Sequence, residues 1–179
     1  GGKIDGIVAP TNNDHTLDLA VDDVTVETYT EWSEPQARPV VTENKVFSFT
    51  KSTLSTYSYN VPVSYDVNEN NALVMKTNDK YQAVVFTLPE LVNAADYSKL
   101  KVYLTATSGE VTVKVWRKGE AGSGGNPATI NYSALANPNI DLGGIYGDEI
   151  DRIEIASNGD GEATITVEKL EFVATGGNQ

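Results

Sequence analysis

The 179-residue sequence contains no cysteine and a single histidine, His15. Without cysteine the protein can have no disulfide, no catalytic thiol and no cysteine-ligated zinc. One histidine cannot build a metal site of several imidazoles, and a serine–histidine–aspartate triad would have to use His15 itself. His15 follows the polar residues 11–14, a setting typical of a solvated loop. These absences exclude several large classes of enzyme.

Basic residues are also scarce, with 13 lysines and arginines against 25 aspartates and glutamates and a net charge of −12. Nucleic acid, heparin and anionic membranes all require a cationic surface, so the composition argues against them as partners. No apolar run reaches the roughly 18 residues that a membrane-spanning helix needs, and we expect no membrane insertion. The first residues lack the apolar core of a signal peptide.

Sustained helical periodicity is missing, and only residues 93–99 could form one helical turn. Apolar residues instead alternate with polar ones in short segments rich in β-branched and aromatic residues, which predicts strands. The predicted strands cover residues 17–21, 24–29, 46–49, 57–61, 72–76, 81–88, 101–106, 111–117, 149–156 and 163–173. The last two predict a hairpin around the turn at 158–161.

These strands and their turns predict an all-β protein, an antiparallel β-sandwich of the jelly-roll, galactose-binding-like kind. No low-complexity linker interrupts the chain, so we predict a single domain over residues 1–179. The ends, 1–14 and 175–179, are expected to be irregular. The outermost residues, 1–2 and 176–179, resemble cut points in a larger protein.

Evidence for catalysis within the chain is weak. Glycoside hydrolysis needs two carboxylates at a suitable separation, but 25 acidic residues offer many pairs and single out none. Most of them alternate with apolar residues in predicted strands, and no nucleophile elbow of the Gly-x-Ser-x-Gly type occurs. We therefore expect no enzymatic activity and keep a small hydrolase with a carboxylate pair as an alternative.

Tyrosine is abundant, with nine residues against two tryptophans and four phenylalanines, and its polar edge suits half-exposed surfaces. In segment 111–117 the valines share one face, while Trp116 and Lys114 share the other. Tyr103 in segment 101–106 likewise lies opposite its apolar neighbours. We predict that the two segments are neighbours and present both rings on one outer face. The alternative is that Trp116 packs under a loop.

Such a face suits carbohydrate, because a sugar ring lays its C–H groups on an aromatic face while its hydroxyls need polar side chains. Tyr81 beside Gln82 is a candidate ring beside an amide, with core packing as the alternative. Trp32 precedes Pro35 and is either a lid on the core or a contact residue. Tyr146 is expected to be exposed in a glycine-rich loop. Four tyrosines are assigned to structure: Tyr57, Tyr59, Tyr65 and Tyr97.

A structural calcium ion is a minor hypothesis. Residues 158–162 offer oxygen ligands at alternate positions, which suits a hard cation. A plain hairpin turn explains the same residues. Asp22 and Asp23 together with Glu168 form a second candidate cluster, and we expect no other cofactor.

Residues 81–90, followed by 94–102, resemble a stretch found in carbohydrate-binding modules of the family 4 type, as inserted in or attached to family 10 xylanases of gut bacteria. The closing segment 150–173 is similar to the last strands of that family. The resemblance implies a non-catalytic β-sandwich that binds single xylan chains in a groove on its concave sheet, within a secreted or surface-anchored enzyme. It places Tyr81 and Gln82 where the family has an aromatic, usually tryptophan, and a small polar residue.

By the same resemblance, Trp116 corresponds to the family's second aromatic residue. The family often holds calcium near its terminal strands. Glu168 stands there, and Lys169 departs from the acidic pattern. The predicted sugar-binding residues are Trp116, Tyr81, Tyr103, Trp32, Asn78, Gln82, Lys114 and Arg117. The predicted partners are a polysaccharide, xylan or a related β-glycan, and an attached catalytic domain, with a secreted or cell-surface location. The alternative is a structural or adhesin-like sandwich that binds no glycan.

Overall fold

The computed structural model describes residues 39–107, 110–120, 128–133, 139–143 and 149–176, with side chains for all but 128–133. The chain divides into two units, Gly1–Arg38 and Pro39–Gln179, and the fold below is that of the second. The predicted strands 17–21 and 24–29, and the single residues His15, Trp32 and Tyr146, lie outside the described residues. The single domain over 1–179 stays a prediction.

The described residues form eleven strands and two short 3-10 turns. The strands are β1 (Lys45–Phe47), β2 (Leu54–Ser55), β3 (Ser64–Val67), β4 (Leu73–Thr77), β5 (Ala83–Asn93), β6 (Tyr97–Ala106), β7 (Glu110–Arg117), β8 (Ala128–Ser133), β9 (Asn139–Asp141), β10 (Glu149–Ser157) and β11 (Ala163–Ala174). The 3-10 turns are Lys51–Thr53 and Ala94–Asp96. The second lies within the predicted helical turn at 93–99, and the Asn93 side chain caps it by accepting a hydrogen bond from Ala95 N.

The strands pair into two antiparallel sheets. Sheet one has the order β3-β4-β11-β6-β9, with β1 beside the second half of β11, and sheet two has the order β2-β5-β10-β7-β8. Consecutive strands alternate between the two sheets from β4 to β7, and again from β9 to β11. The predicted antiparallel β-sandwich is confirmed.

The core lies between the sheets and follows the period of two. In β7 the three valines are fully buried inside, and the isoleucines of β10 meet them from the neighbouring strand. Phenylalanine rings from both sheets pack edge to face there, with Phe49 and Phe86 centroids 4.8 Å apart and Phe47 and Phe172 centroids 5.9 Å apart. The side chains of sheet two that alternate with these core residues point away from the core and form the outer face of the sheet.

Two predictions about local structure are wrong. Residues 158–161 do not close a hairpin, because β10 belongs to sheet two and β11 to sheet one. β10 pairs with β5 and β7, and β11 pairs with β4 and β6, so the two strands face each other across the core instead of sharing a ladder. Residues 57–61 are not a strand either, since the extended segment ends with β2 at Ser55. None of the described helical segments is long and apolar enough to cross a membrane.

Candidate functional site

A loop at residues 56–60 leaves the edge of sheet two. In β2, Leu54 pairs with Phe86 and Ser55 with Val85, so an unbroken ladder would place Tyr57 opposite Ala83. Asn60 takes that position instead and accepts a hydrogen bond from Ala83 N at 3.1 Å. Asn60 has a φ of +53°, a left-handed conformation that asparagine tolerates better than most residues. The three additional residues are extruded from the sheet edge and carry two tyrosines.

Tyr57 reaches from this loop to the outer face of sheet two. Its Oη donates a hydrogen bond to Glu154 Oε2 at 2.7 Å. Burial and this hydrogen bond to a carboxylate raise the pKa of Tyr57 well above its ordinary value. The Tyr59 ring stacks on Tyr57 with centroids 5.6 Å apart and an interplanar angle of 13°. Tyr59 is nevertheless 57% exposed, so the anchored ring supports a second ring that faces solvent.

Glu154 is the centre of the outer face. It lies between the inward-facing Ile153 and Ile155 on β10 and is only 4% exposed. Besides Tyr57, its carboxylate accepts hydrogen bonds from Lys114 Nζ at 2.7 Å and Trp116 Nε1 at 3.1 Å. A buried carboxylate is tolerated when it is paired and fully hydrogen-bonded. These three donors thus tie the loop, β7 and β10 into one rigid cluster, which we call the Glu154 cluster.

The prediction that Trp116 is an exposed platform is wrong. Trp116 does lie on the face opposite to the valines of β7, but it is 3% exposed. Strand β10 pairs with β7 and brings Glu154 against the indole nitrogen, and the Arg152 guanidinium carbon lies 5.2 Å from the ring centroid. The indole is therefore a buried support of the face. Lys114 keeps part of its side chain exposed, and its predicted role with sugar stays a prediction.

The prediction that Tyr103 shares a face with Trp116 is also wrong, because β6 lies in sheet one and β7 in sheet two. On sheet one, Tyr103 Oη donates a hydrogen bond to Glu171 Oε2 at 2.5 Å, and Lys169 Nζ lies 4.4 Å from the ring centroid. The hydrogen bond raises the pKa of Tyr103. It also lowers the pKa of Glu171, with a further contribution from the Asn44 amide. The ring already has a cation on one face.

The turn between β4 and β5 carries the predicted group Asn78, Tyr81 and Gln82. The Gln82 side chain makes two hydrogen bonds to Asn78: its Nε2 donates to the side-chain Oδ1 at 2.9 Å, and its Oε1 accepts from the backbone N at 2.8 Å. This clamp holds the turn in which Tyr81 adopts a φ of +66°. Tyr81 is 60% exposed. Of the two alternatives left open for this ring, core packing is therefore excluded, and its sugar contact stays a prediction.

Tyr81 and Tyr59 belong to the same end of sheet two. Tyr81 N donates to Ser157 O at the end of β10, and Ala83, two residues on, bonds to Asn60 beside Tyr59. Both tyrosines are more than half exposed. Sequence reasoning missed Tyr59 because it counted segment 57–61 as a strand. Pro62 is the residue in the sequence that argues against a strand over 57–61, because proline has no N–H to donate to a neighbouring strand.

Four cationic groups on and beside β7 and β10 have carboxylate neighbours. The pairs are Lys114–Glu154 at 2.7 Å, Lys118–Glu149 at 2.8 Å, Arg152–Asp151 at 3.4 Å and Arg117–Glu120 at 3.8 Å. The predicted ligand Arg117 is thus half of such a pair. Because each of these four cations lies beside a carboxylate, their charges are balanced locally, which suits an uncharged ligand.

A metal site is not apparent within the described residues, where no group of three or more histidine, aspartate or glutamate side chains comes together. Residues 158–162 form the connection from β10 to β11, and Glu168 lies on β11. Asp22 and Asp23, the other members of the second calcium cluster, lie outside the described residues. The calcium hypothesis therefore stays untested.

Comparison with known proteins finds no matching family model and no matching curated protein. Solved structures do match. One is the low affinity xylan binding module CBM86 from the gut symbiont Roseburia intestinalis, with a TM-score of 0.56, 18% identity, and coverage of 74% of this chain and 96% of that one. Two others are variants of family 29 carbohydrate-binding modules. Their TM-scores are 0.52 and 0.53, at 15% and 16% identity, with 75% and 77% of this chain and 93% and 89% of theirs covered. At these identities the likeness establishes the fold.

Proposed function

We propose that this chain is a non-catalytic carbohydrate-binding module whose sugar site is the outer face of sheet two at the end marked by Tyr59 and Tyr81. The observation that carries the proposal is the stacked pair Tyr57–Tyr59, in which a ring anchored to buried Glu154 supports a ring that is 57% exposed. Exposed rings scattered singly need no explanation, and it is the grouping of two of them at one end of the sheet that favours a ligand site.

The geometry of the pair fits a sugar. Tyr57 covers one side of the Tyr59 ring, and a sugar would lay its C–H groups on the other. Covering such a ring removes on the order of 100 Å² of apolar surface, worth roughly 2–3 kcal/mol before entropy is counted. A ring held in place by its neighbour loses little rotamer freedom on binding, which favours affinity. We expect total binding free energies of about −5 to −7 kcal/mol.

The proposed ligand is an uncharged β-glycan, with xylan first. The balanced charges of the face favour a neutral chain over an acidic one, and a structure with the same fold is described as a low affinity xylan binding module. Lys114 and the polar groups around it would contact hydroxyls. The module would hold an attached glycoside hydrolase at high effective concentration near its polysaccharide, outside the cell.

The test is calorimetric titration with xylohexaose and with cellohexaose, using the wild type and three alanine variants. We expect saturable xylohexaose binding that Tyr59→Ala and Tyr81→Ala each weaken about tenfold or more. Tyr103→Ala is the matched control, because it removes a tyrosine from the opposite sheet and should leave affinity unchanged. Equal loss in all three variants would contradict the placement of the site.

If neither oligosaccharide binds, and soluble polysaccharides of other β-glycans do not bind either, the proposal is overturned in favour of the structural or adhesin-like alternative. A folded protein that released reducing sugar from xylan would overturn the non-catalytic part.

A further inference from the structure

The exposed large apolar side chains of the described residues are concentrated at one end of the sandwich. There are seven of them, and four lie on the two segments that carry the proposed sugar site: Tyr59, Val61, Val63 and Tyr81. Single exposed apolar side chains are ordinary, but a group of them on one surface indicates an interaction site. Two members of this group, Val61 and Val63, have no part in the site proposed above and require an explanation.

Residues 60–64 lead from one sheet to the other. At one end of this segment, Asn60 O accepts a hydrogen bond from Ala83 N at the start of β5, in sheet two. At the other end, Ser64 on β3 pairs with Lys76 on β4, in sheet one. The segment therefore crosses the edge of the sandwich beside the turn that joins β4 to β5.

Val61 and Val63 lie on the solvent side of this segment. They are 45% and 60% exposed, whereas Pro62 between them is buried, as alternation along an extended chain requires. Alternate residues of such a chain are about 6–7 Å apart. The two valines therefore continue the apolar surface that begins at Tyr59 along the edge of the sandwich, and we call residues 59–63 the edge track.

The edge track ends at a groove of about 420 Å³. Val63 lines this groove together with Lys76 and Asn78, and its volume lies in the range of about 300–1,000 Å³ that is typical of ligand sites. Asn78 also belongs to the turn that carries Tyr81, where it is held by its hydrogen bonds with Gln82. The groove therefore adjoins the proposed sugar site and is not separate from it.

The groove adds polar groups to the apolar track. Lys76 Nζ makes no ion pair within the described part of the chain. Gln82 occupies Asn78 Oδ1 and leaves its Nδ2 as a donor. Lys76 and Glu162 both line the groove, so neither an anion nor a cation is favoured there. Donors beside exposed valines suit a neutral sugar, because its hydroxyls accept hydrogen bonds while its C–H groups cover apolar carbon.

We infer that one β-glycan chain binds lengthwise, from Tyr59 and Tyr81 along the edge track into the groove, an inference that rests on the proposed function. Val61, Val63 and the groove together offer more length than one pyranose ring covers. The ligand is therefore a chain of several linked neutral rings. The valines add contacts that a disaccharide held by the tyrosines does not reach.

Calorimetric titration of the full chain with xylohexaose tests this path. We expect Val61→Ser and Val63→Ser each to weaken binding about threefold to tenfold, because each removes apolar carbon from the contact. Both side chains are exposed, so both variants should keep the fold. Val46→Ser is the matched control and should leave affinity unchanged, since it removes an exposed valine from β1, which pairs with the second half of β11, whereas the groove adjoins the start of β11.

Amide NMR spectra of the isotope-labelled full chain test the length of the ligand. We expect xylohexaose to shift the backbone amides of Val63, Lys76 and Asn78, and xylobiose to shift them much less. Wild-type affinity for xylohexaose in both valine variants would overturn this inference, and so would equal shifts of these amides by the two ligands.

The inference and the proposed function can be told apart. If Tyr59→Ala weakens xylohexaose binding and neither valine variant does, the tyrosine site stands and the edge track is removed from it. If the wild type binds no xylohexaose, this inference is overturned together with xylan as the proposed ligand.

Discussion

Tyr57 donates a hydrogen bond of 2.7 Å to Glu154 across 97 residues of sequence, and this contact joins an extruded edge loop to the central strand of sheet two. Lys114 and Trp116 donate to the same carboxylate from the neighbouring strand. The exposed Tyr59 ring depends on this arrangement through its stacking on Tyr57. Stability and proposed binding are therefore coupled at one buried side chain.

Replacing Glu154 with alanine should destabilise the fold by about 2–3 kcal/mol, since Trp116 Nε1 loses its acceptor in a buried site and Lys114 loses its ion pair. Glu154→Gln keeps an acceptor and should cost less. Urea unfolding measures both. Glu168→Gln, an exposed glutamate on β11, is the matched control and should stay within about 0.5 kcal/mol of wild type. A Glu154→Ala variant as stable as this control would contradict the cluster's structural role.

Tyr57 should ionise at higher pH than an ordinary tyrosine, because burial and the hydrogen bond to Glu154 raise its pKa. A raised pKa in the folded state means that its contribution to stability is complete below the unfolded value of 10.0 and is lost as pH rises through the folded value. Tyr103 also has a raised pKa, so phenolate absorbance against pH should show late titration from both residues. Tyr57→Phe should remove the Tyr57 part of this late titration, and Glu154→Gln should shift that part to lower pH. Tyr59→Phe is the control, and the late titration should survive it.

Alternation in the sequence predicted which side chains of a strand face the core. The valines of β7 are inside, and Thr112, Lys114 and Trp116 are on the other side, as the period of two requires. Alternation carries no information on which strands pair. Segments 101–106 and 111–117 are adjacent in sequence, yet they lie in different sheets. Tyr103 and Trp116 were therefore placed together wrongly.

The burial of Trp116 could not be predicted from its own strand. It results from Glu154 and Arg152 on β10, which is 32 or more residues away in sequence and becomes a neighbour only through the sheet order. The exposure of Tyr81, which the sequence left open against core packing, follows from a local polar turn, and the Asn78–Gln82 clamp that forms the turn spans only four residues. Features formed within a few residues of sequence, such as this turn, can be read from the sequence. Features that depend on which strands pair, such as the burial of Trp116, cannot.

Glu171 should make the protein sensitive to acid. Hydrogen bonds from Tyr103 and then Asn44 lower its pKa below the ordinary 4.5. With a lowered folded-state pKa, its contribution to stability is present above the unfolded value and is lost as pH falls through the folded value. In Glu171→Gln, stability measured by urea unfolding should fall less steeply than in wild type as pH drops below 4.5. Tyr103→Phe should have a similar, smaller effect, and an unchanged pH profile in both would contradict this account.

Tyr81 combines an exposed ring with a backbone conformation that suits glycine. At a φ of +66° a tyrosine is strained, by about 1 kcal/mol or more. Because 60% of the residue is exposed, truncating it removes little packing. Tyr81→Gly should therefore leave the fold as stable as wild type or about 1 kcal/mol more stable, whereas Tyr81→Ala retains the strain and should gain nothing.

Both variants should lose xylohexaose affinity about equally, because both lose the ring. Unfolding in urea and calorimetric titration of the same samples test the two effects together. A glycine variant that is more stable and binds worse indicates that the ring is kept at this strained position for its contact with ligand. A glycine variant that binds as tightly as wild type would remove Tyr81 from the proposed site and leave Tyr59 as its aromatic contact.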